Sequence, residues 1–277
     1  MSDLVYTCVF DDYDWVLPPL GVGTGVHHVL VTDKNGPEPD GWERRVVDPS
    51  RWGGAAAANR YWKMLGHREL PGFTRSLYVD ANIRLLGDSV AFLDMALPDG
   101  AAMGLFRHPL RNSVAAEMKA CLDTGKIADA TQIEAERKAY LDLGFPDDVG
   151  LSENTILARR PGAPGLDAAM HEWWDMYRRF KSRDQFSLPV IRWRHDIPVH
   201  WLDWSFRNPN PWFAIYAHRK GRNVNPRFAW MEARAHDSAA HAALLRAWKM
   251  YRTVKRTLGA DSSTRSLPCR SRWPPYH

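Results

Sequence analysis

An α/β fold is predicted from three features of the chain. Short runs of β-branched and aromatic residues recur between stretches with helical apolar spacing. That alternation builds a mixed, mostly parallel sheet flanked by helices. Two of the runs stop in polar residues, Asp11-Asp12 after the first and Asp80-Ala81-Asn82 after a later one. In open α/β sheets the carboxyl ends of strands face the ligand crevice. The length of 277 residues suits one large α/β domain or two smaller ones.

Leu4 to Phe10 reads as a buried first strand, and Leu17-Pro18-Pro19 forces a loop after it. The acidic and aromatic loop from Asp11 to Trp15 suits recognition of a base or ribose; the plainer reading is a solvated loop with one aromatic anchor. Val26 to Asp33 is the second strand. His27 and His28 point to opposite faces of it and make a poor metal pair, so both read as structural. A turn at Gly36 to Gly41 precedes a third short strand from Trp42 to Val47. A helix over 55–66 opens on four alanines, and Arg60, Lys63 and His67 share one of its faces. Such a face is either a solvated basic surface or a clamp for a diphosphate.

The next strand, Thr74 to Val79, follows Pro71-Gly72 and ends in Asp80 and Asn82, placed to hold a hard divalent cation at a strand end. A helix over 90–96 and a strand over 101–106 come next, then His108, Arg111 and a helix carrying Glu117. Asp129 with Gln132 reads as a capping box for a helix over 130–142, and Gly144-Phe145-Pro146 ends it. Leu151 to Arg160 is a strand with Glu153 near its start. An amphipathic helix over 166–180 leads into Arg183-Asp184-Gln185, where Ser182 or Asp184 reads as the N-cap of another helix. From Ile191 to His218 the chain is rich in Trp and His, either sugar-stacking platforms or plain core. The helix over 238–258 has Leu244, Trp248, Tyr251 and Leu258 on one side and is otherwise basic. It reads as packed on its domain or lying on an anionic membrane surface.

A net charge of +5 favours an anionic partner, but no nucleic-acid motif accompanies it. No apolar run approaches the length of a membrane span, and no signal-peptide pattern opens the chain. Three widely spaced cysteines, Cys8, Cys121 and Cys269, form neither a zinc pattern nor a disulfide framework, which points to a reducing cytoplasm.

Taken together, the segments resemble the TOD/MUCI glycosyltransferase-like family, which also has bacterial members. The motifs are Tyr6-Thr7-Cys8-Val9-Phe10 with Asp12-Tyr13-Asp14, Arg60-Tyr61-Trp62-Lys63 with His67, and Ser76-Leu77-Tyr78-Val79-Asp80-Ala81-Asn82. His108-Pro109-Leu110-Arg111 with Glu117, Leu151-Ser152-Glu153, and Trp173-Trp174 with Arg183-Asp184-Gln185 follow in the family's order, over roughly residues 4–190. The resemblance implies a GT-A-like nucleotide-diphospho-sugar transferase fold over 1–225, ahead of a basic helical segment at 226–260 and a disordered tail at 261–277.

It further implies a sugar moved from a nucleotide-diphospho-sugar, a UDP-sugar first, to a glycan or glycolipid acceptor. The basic helix near the C-terminus, rather than the resemblance, points to an acceptor on a lipid carrier or a cell-surface polysaccharide, hence to polysaccharide synthesis in the cytoplasm or at the inner membrane face. A divalent cation, Mn²⁺ or Mg²⁺, would sit on Asp80 and Asn82. His218, His200 and His195 are candidates for a third ligand, with His218 taken first. Arg60, Lys63, His67, His108 and Arg111 would serve the donor phosphates, and Thr7, Asp12, Tyr13 and Asp33 the nucleoside. Glu153, Asp184 and Gln185 would be the catalytic groups facing sugar and acceptor. The resemblance departs at Asn82, where the family motif is acidic, and at Asp11, where the family has glycine. A metal-dependent phosphohydrolase and a non-catalytic nucleotide- or glycan-binding protein are the alternatives.

Overall fold

The computed structural model describes residues 2–221 and 224–257; Leu258, Cys269 and the 261–277 tail lie outside them. The chain forms two compact units, Met1–Arg222 and Asn223–His277. The strands of the first are β1 (Asp3–Val9), β2 (Val26–Thr32), β3 (Glu43–Val46), β4 (Arg75–Val79), β5 (Ile83–Leu85), β6 (Met103–Arg107), β7 (Ser152–Arg159), β8 (Val199–Leu202) and β9 (Phe213–Ile215). Its helices are α1 (Ala55–Glu69), α2 (Ser89–Ala96), α3 (Val114–Asp123), α4 (Ala130–Asp142), α5 (Leu166–Phe180) and α6 (Asp184–Arg194). The second unit holds α7 (Pro226–Arg234) and α8 (Ala239–Thr257).

Seven strands make one sheet in the order β3-β2-β1-β4-β7-β6-β8. Only β7 runs antiparallel to its neighbours, so the sheet is mixed and mostly parallel, as the alternation of elements predicts. The carboxyl ends of β1, β2, β4 and β6 therefore share one edge with the amino end of β7. β5 and β9 form a separate antiparallel pair, Ile83 opposite Ile215. These two strands and β8 escape the sequence reading because each is short and made by partners far along the chain; α7 escapes it as a short helix.

Side chains of β1 alternate between two cores, as strand periodicity requires. Leu4, Tyr6 and Cys8 pack with Trp62 and Met64 of α1 and Trp173 of α5. Val5 and Val9 face Leu77, Val79, Phe92 and Phe106 on the other side. The tryptophans of the 191–218 segment are half-buried and pack against the cores: Trp204 lies on Phe106 with ring centroids 4.8 Å apart, and Trp212 on Phe92 at 5.9 Å.

Two caps differ from expectation. Asp129 accepts from the backbone N–H of Thr131 and Gln132, but the Gln132 amide donates to the Phe180 carbonyl instead of returning to the cap. Only half of the capping box forms, because α5 ends within reach of Gln132. The N-cap of α6 is Arg183, with no side-chain cap bond, and Asp184 is the first helical residue. Its carboxylate is engaged by cations of α1.

Arg159, fully buried on β7, donates to the Tyr6 hydroxyl (2.9 Å) and to the Lys63 carbonyl (2.7 Å), tying β7 to β1 and α1. Gly66 lets α1 lie close on the sheet: a Cβ there would sit 2.5 Å from Tyr6 Cε2. Gly66→Ala is therefore expected to destabilise the fold by about 1–3 kcal/mol through overpacking, despite alanine's better helix propensity. Urea unfolding checks this; an unchanged or raised midpoint would refute the close approach.

Candidate functional site

The polar edge of the sheet is organised around Lys63. α1 carries its ammonium to 3.2 Å from Asp80 Oδ1 and 3.0 Å from Asp184 Oδ2. Arg60, one turn earlier, places Nε 3.6 Å from Asp184 Oδ1. Burial would raise the Asp184 pKa, but Lys63 and Arg60 outweigh it and hold the carboxyl well below the usual carboxylate range. Asp184 in turn raises the Arg60 pKa. Asp184 is therefore held as the anion and Arg60 as the cation.

Asp80 follows β4, and its backbone N–H donates to the Thr155 carbonyl of β7 at 2.8 Å. Tyr78 donates its hydroxyl to Asp80 Oδ1 at 2.8 Å, and Cys8 Sγ lies 3.7 Å from that hydroxyl. Burial pushes the Cys8 thiol up to about 12, so it is inert packing.

Asp184 is fixed by its backbone as well as its carboxylate. Asn154 Nδ2 donates to its carbonyl at 3.2 Å and Trp173 Nε1 at 3.0 Å. Gln185 Nε2 donates to the Ser152 carbonyl at 2.9 Å, and Ser152 Oγ to Asn154 Oδ1 at 2.7 Å. Tyr78 and Trp173 lie inside the motifs with no role assigned to them there, and Asn154, beside Glu153, is the supporting residue that sequence reasoning missed. Glu153, in register with Phe106, accepts from Arg207 Nε at 2.8 Å, while its other carboxylate oxygen is buried without a partner among the described residues. Burial raises its pKa, and Arg207 offsets this only in part.

The loop after β1 reaches the same edge. Asp11 and Asp12 adopt left-handed conformations, φ 54° and 48°. Position 11 thus has a backbone that glycine takes most easily and aspartate tolerates, and the Asp33 carboxylate receives its N–H at 3.2 Å. Tyr13 lies against His218, ring centroids 5.2 Å apart, and Asp14 Oδ2 is 2.7 Å from His218 Nδ1. Burial lowers the His218 pKa, but Asp14, with a smaller contribution from Asp80, raises it above the ordinary value. Asn82 donates to the Tyr216 carbonyl at 3.0 Å, leaving Oδ1 buried and unpartnered among the described residues. Thr7 is buried two residues inside the end of β1.

Other candidates lie apart from this group. His67 is buried against the Tyr6 and Arg159 side of α1, its pKa lowered by burial and by Arg159. His108 and Arg111 turn onto the buried Glu117, which Arg111 bonds directly, and burial lowers the His108 pKa to about 4. His195 pairs with Glu172 at 2.6 Å at the far end of α6 from Asp184, and His200 sits in β8 opposite Gly104. Among the described residues no three His, Cys, Asp or Glu side chains converge as a metal cage.

No curated protein matches the chain. Among solved structures, it aligns with the bifunctional glycosyltransferase WbbM in apo form at TM-score 0.47 and 10% identity, over 72% of this chain and 38% of that one. It aligns with apo mouse xyloside xylosyltransferase 1 at TM-score 0.40 and 11% identity, over 73% and 85%. The chain thus spans well under half of WbbM. The family profile of the TOD1/MUCI70 glycosyltransferase-like domain matches residues 42–208. That span takes in Arg60, Lys63, Asp80, Glu153 and Asp184, runs past the motif-bearing stretch to Asn208, and leaves the β1 loop and His218 outside. With more than half of its length matched, the chain belongs to the TOD1/MUCI70 glycosyltransferase-like family.

Proposed function

We propose that the protein transfers a sugar, a hexose or related residue, from a nucleotide-diphospho-sugar of the UDP class to a glycan or glycolipid acceptor. The observation that carries this reading is the row Arg60–Asp184–Lys63–Asp80 at the strand ends, in a chain of glycosyltransferase-like family. A diphosphate entering the crevice meets two cations whose carboxylate partners are already in place. Tyr13, Asp12, Asp33 and Thr7 are assigned to the nucleoside side.

A divalent cation fits this edge as one that arrives with the donor. Asp80 supplies a carboxylate, Asn82 a buried unpartnered amide oxygen, and His218 an imidazole, so Asp80, Asn82 and His218 would hold it. So small a protein donor set leaves the remaining positions to phosphate oxygens, the arrangement Mg²⁺-type ions accept. The ion's chemistry there is to neutralise charge on the departing diphosphate.

The two remaining carboxylates divide the work by environment. Asp184, locked as an anion by two cations, is a weak proton acceptor and serves to orient Lys63 and to face positive charge that develops on the sugar. Glu153, with its pKa raised by burial, is the better base for the acceptor hydroxyl proton. Gln185 holds the first turn of α6 against β7 beside them.

Thermal stabilisation by nucleoside diphosphates and nucleotide sugars, with Mn²⁺ or chelator, tests the donor site. A metal-dependent rise in Tm with a uridine ligand, abolished in Asp80→Ala, is expected; no shift with any nucleotide would sink the donor reading. Phosphate release without sugar transfer would favour a phosphohydrolase. Asp184→Asn should lower kcat about 100-fold while the donor-induced Tm shift persists. Loss of both together would make Asp184 a donor-binding residue only. For Glu153, kcat should climb as pH rises through its elevated pKa, because the base works ionised. Glu153→Gln should remove that limb and lower kcat by about 10²–10⁴; an unchanged pH profile would clear Glu153 of the role.

A further inference from the structure

The second unit carries a basic helix with an apolar surface of its own. Residues 224–257 hold seven Lys and Arg against two Asp and Glu. Both acids are engaged within the unit, Asp237 by Arg234 at 3.1 Å and Glu232 by Lys249 at 3.9 Å. α8 itself contains no acidic residue over nineteen positions.

One face of α8 is covered by α7: Leu245 is buried, and Trp248 stacks on Phe228 with centroids 4.7 Å apart. Another face is apolar and bare. Ala240, Leu244, Ala247, Tyr251 and Val254 recur at steps of four and three, and Met250 widens the stripe. Leu244, Met250, Tyr251 and Val254 are 48%, 70%, 60% and 52% exposed. By the 3.6-residue period, Arg246 falls along one edge of the stripe and Lys255 along the other, and neither has an acidic partner among the described residues.

We propose that this face of α8 docks on an anionic lipid surface, the stripe seated at the headgroup boundary and Arg246 and Lys255 on the headgroups. An apolar stripe edged by cations is the pattern of an interfacial helix. Charge selects the occupant: a second copy would bring a like-charged helix against this one, and nucleic acid has no apolar surface to cover the stripe. No helix among the described residues is long and apolar enough to cross a membrane, so the contact is peripheral.

The test is co-sedimentation of the full chain with phosphatidylcholine vesicles with and without phosphatidylglycerol. Binding is expected only with phosphatidylglycerol and should weaken with added salt. Arg246→Glu with Lys255→Glu should weaken it at least about tenfold. Met250→Asp with Tyr251→Asp should abolish it while circular dichroism is unchanged. No binding to either vesicle would overturn the proposal. Binding that survives the Met250 and Tyr251 changes would also overturn it, placing the attraction elsewhere. Self-association lost in Tyr251→Asp, without vesicle binding, would assign the stripe to a second copy.

Discussion

A single buried ammonium sets the geometry of the polar edge. Lys63 is 3% exposed and lies between two carboxylates, one following β4 and one opening α6. Without it, among the described residues, the buried Asp184 would keep only Arg60 as an ion-pair partner, and the part-exposed Asp80 only the Tyr78 hydroxyl, and an under-paired buried charge is costly. Yet a buried ion pair contributes little net stability compared with apolar residues of the same volume. Apolar residues would fill the same space with no desolvation to offset. The arrangement is explained by what the ions do, not by what they add to the fold.

That ammonium stays in place because of constraints behind it. The Lys63 backbone carbonyl accepts from Arg159, which also holds the Tyr6 hydroxyl, so α1, β1 and β7 meet at one guanidinium. Gly66, one turn after Lys63, removes the side chain that would lift the helix from Tyr6. On the other side, Asn154 and Trp173 both donate to the Asp184 carbonyl, fixing where α6 begins. Lys63 and Asp184 are thus oriented through hydrogen bonds to their backbone carbonyls, which leave their charged ends free to pair.

Much of this was legible in the sequence. Strand runs, helical faces and the Asp80-Ala81-Asn82 strand end gave the layers and placed Lys63 and Asp80 near each other, because helix and strand are consecutive. Asp184 was found by its motif. What stayed hidden depends on partners far apart in the chain: His218 with Asp14 across 204 positions, β5 with β9, and Arg159 with Tyr6 across 153. Local propensity carries no information about such partners. It also misassigned the N-cap of α6, because Asp184 has the residue type of a cap and its carboxylate is drawn away by Lys63 and Arg60.

Net charge was the least transferable sequence feature. The chain's excess of +5 suggests a cationic molecule suited to a phosphorylated ligand, yet residues 1–223 contain 27 Lys and Arg against 29 Asp and Glu. The unit that holds the polar edge is slightly acidic as a whole, and the proposed donor site would rest on two cations of α1, Arg60 and Lys63. Screening limits distant surface charges to about a Debye length, roughly 8 Å at physiological salt, so local placement outweighs the total. The basic excess belongs instead to residues 224–277, which hold ten Lys and Arg against three Asp and Glu. A chain-wide charge can thus be the sum of two unrelated features, a slightly acidic unit with a local pair of cations and a basic C-terminal stretch.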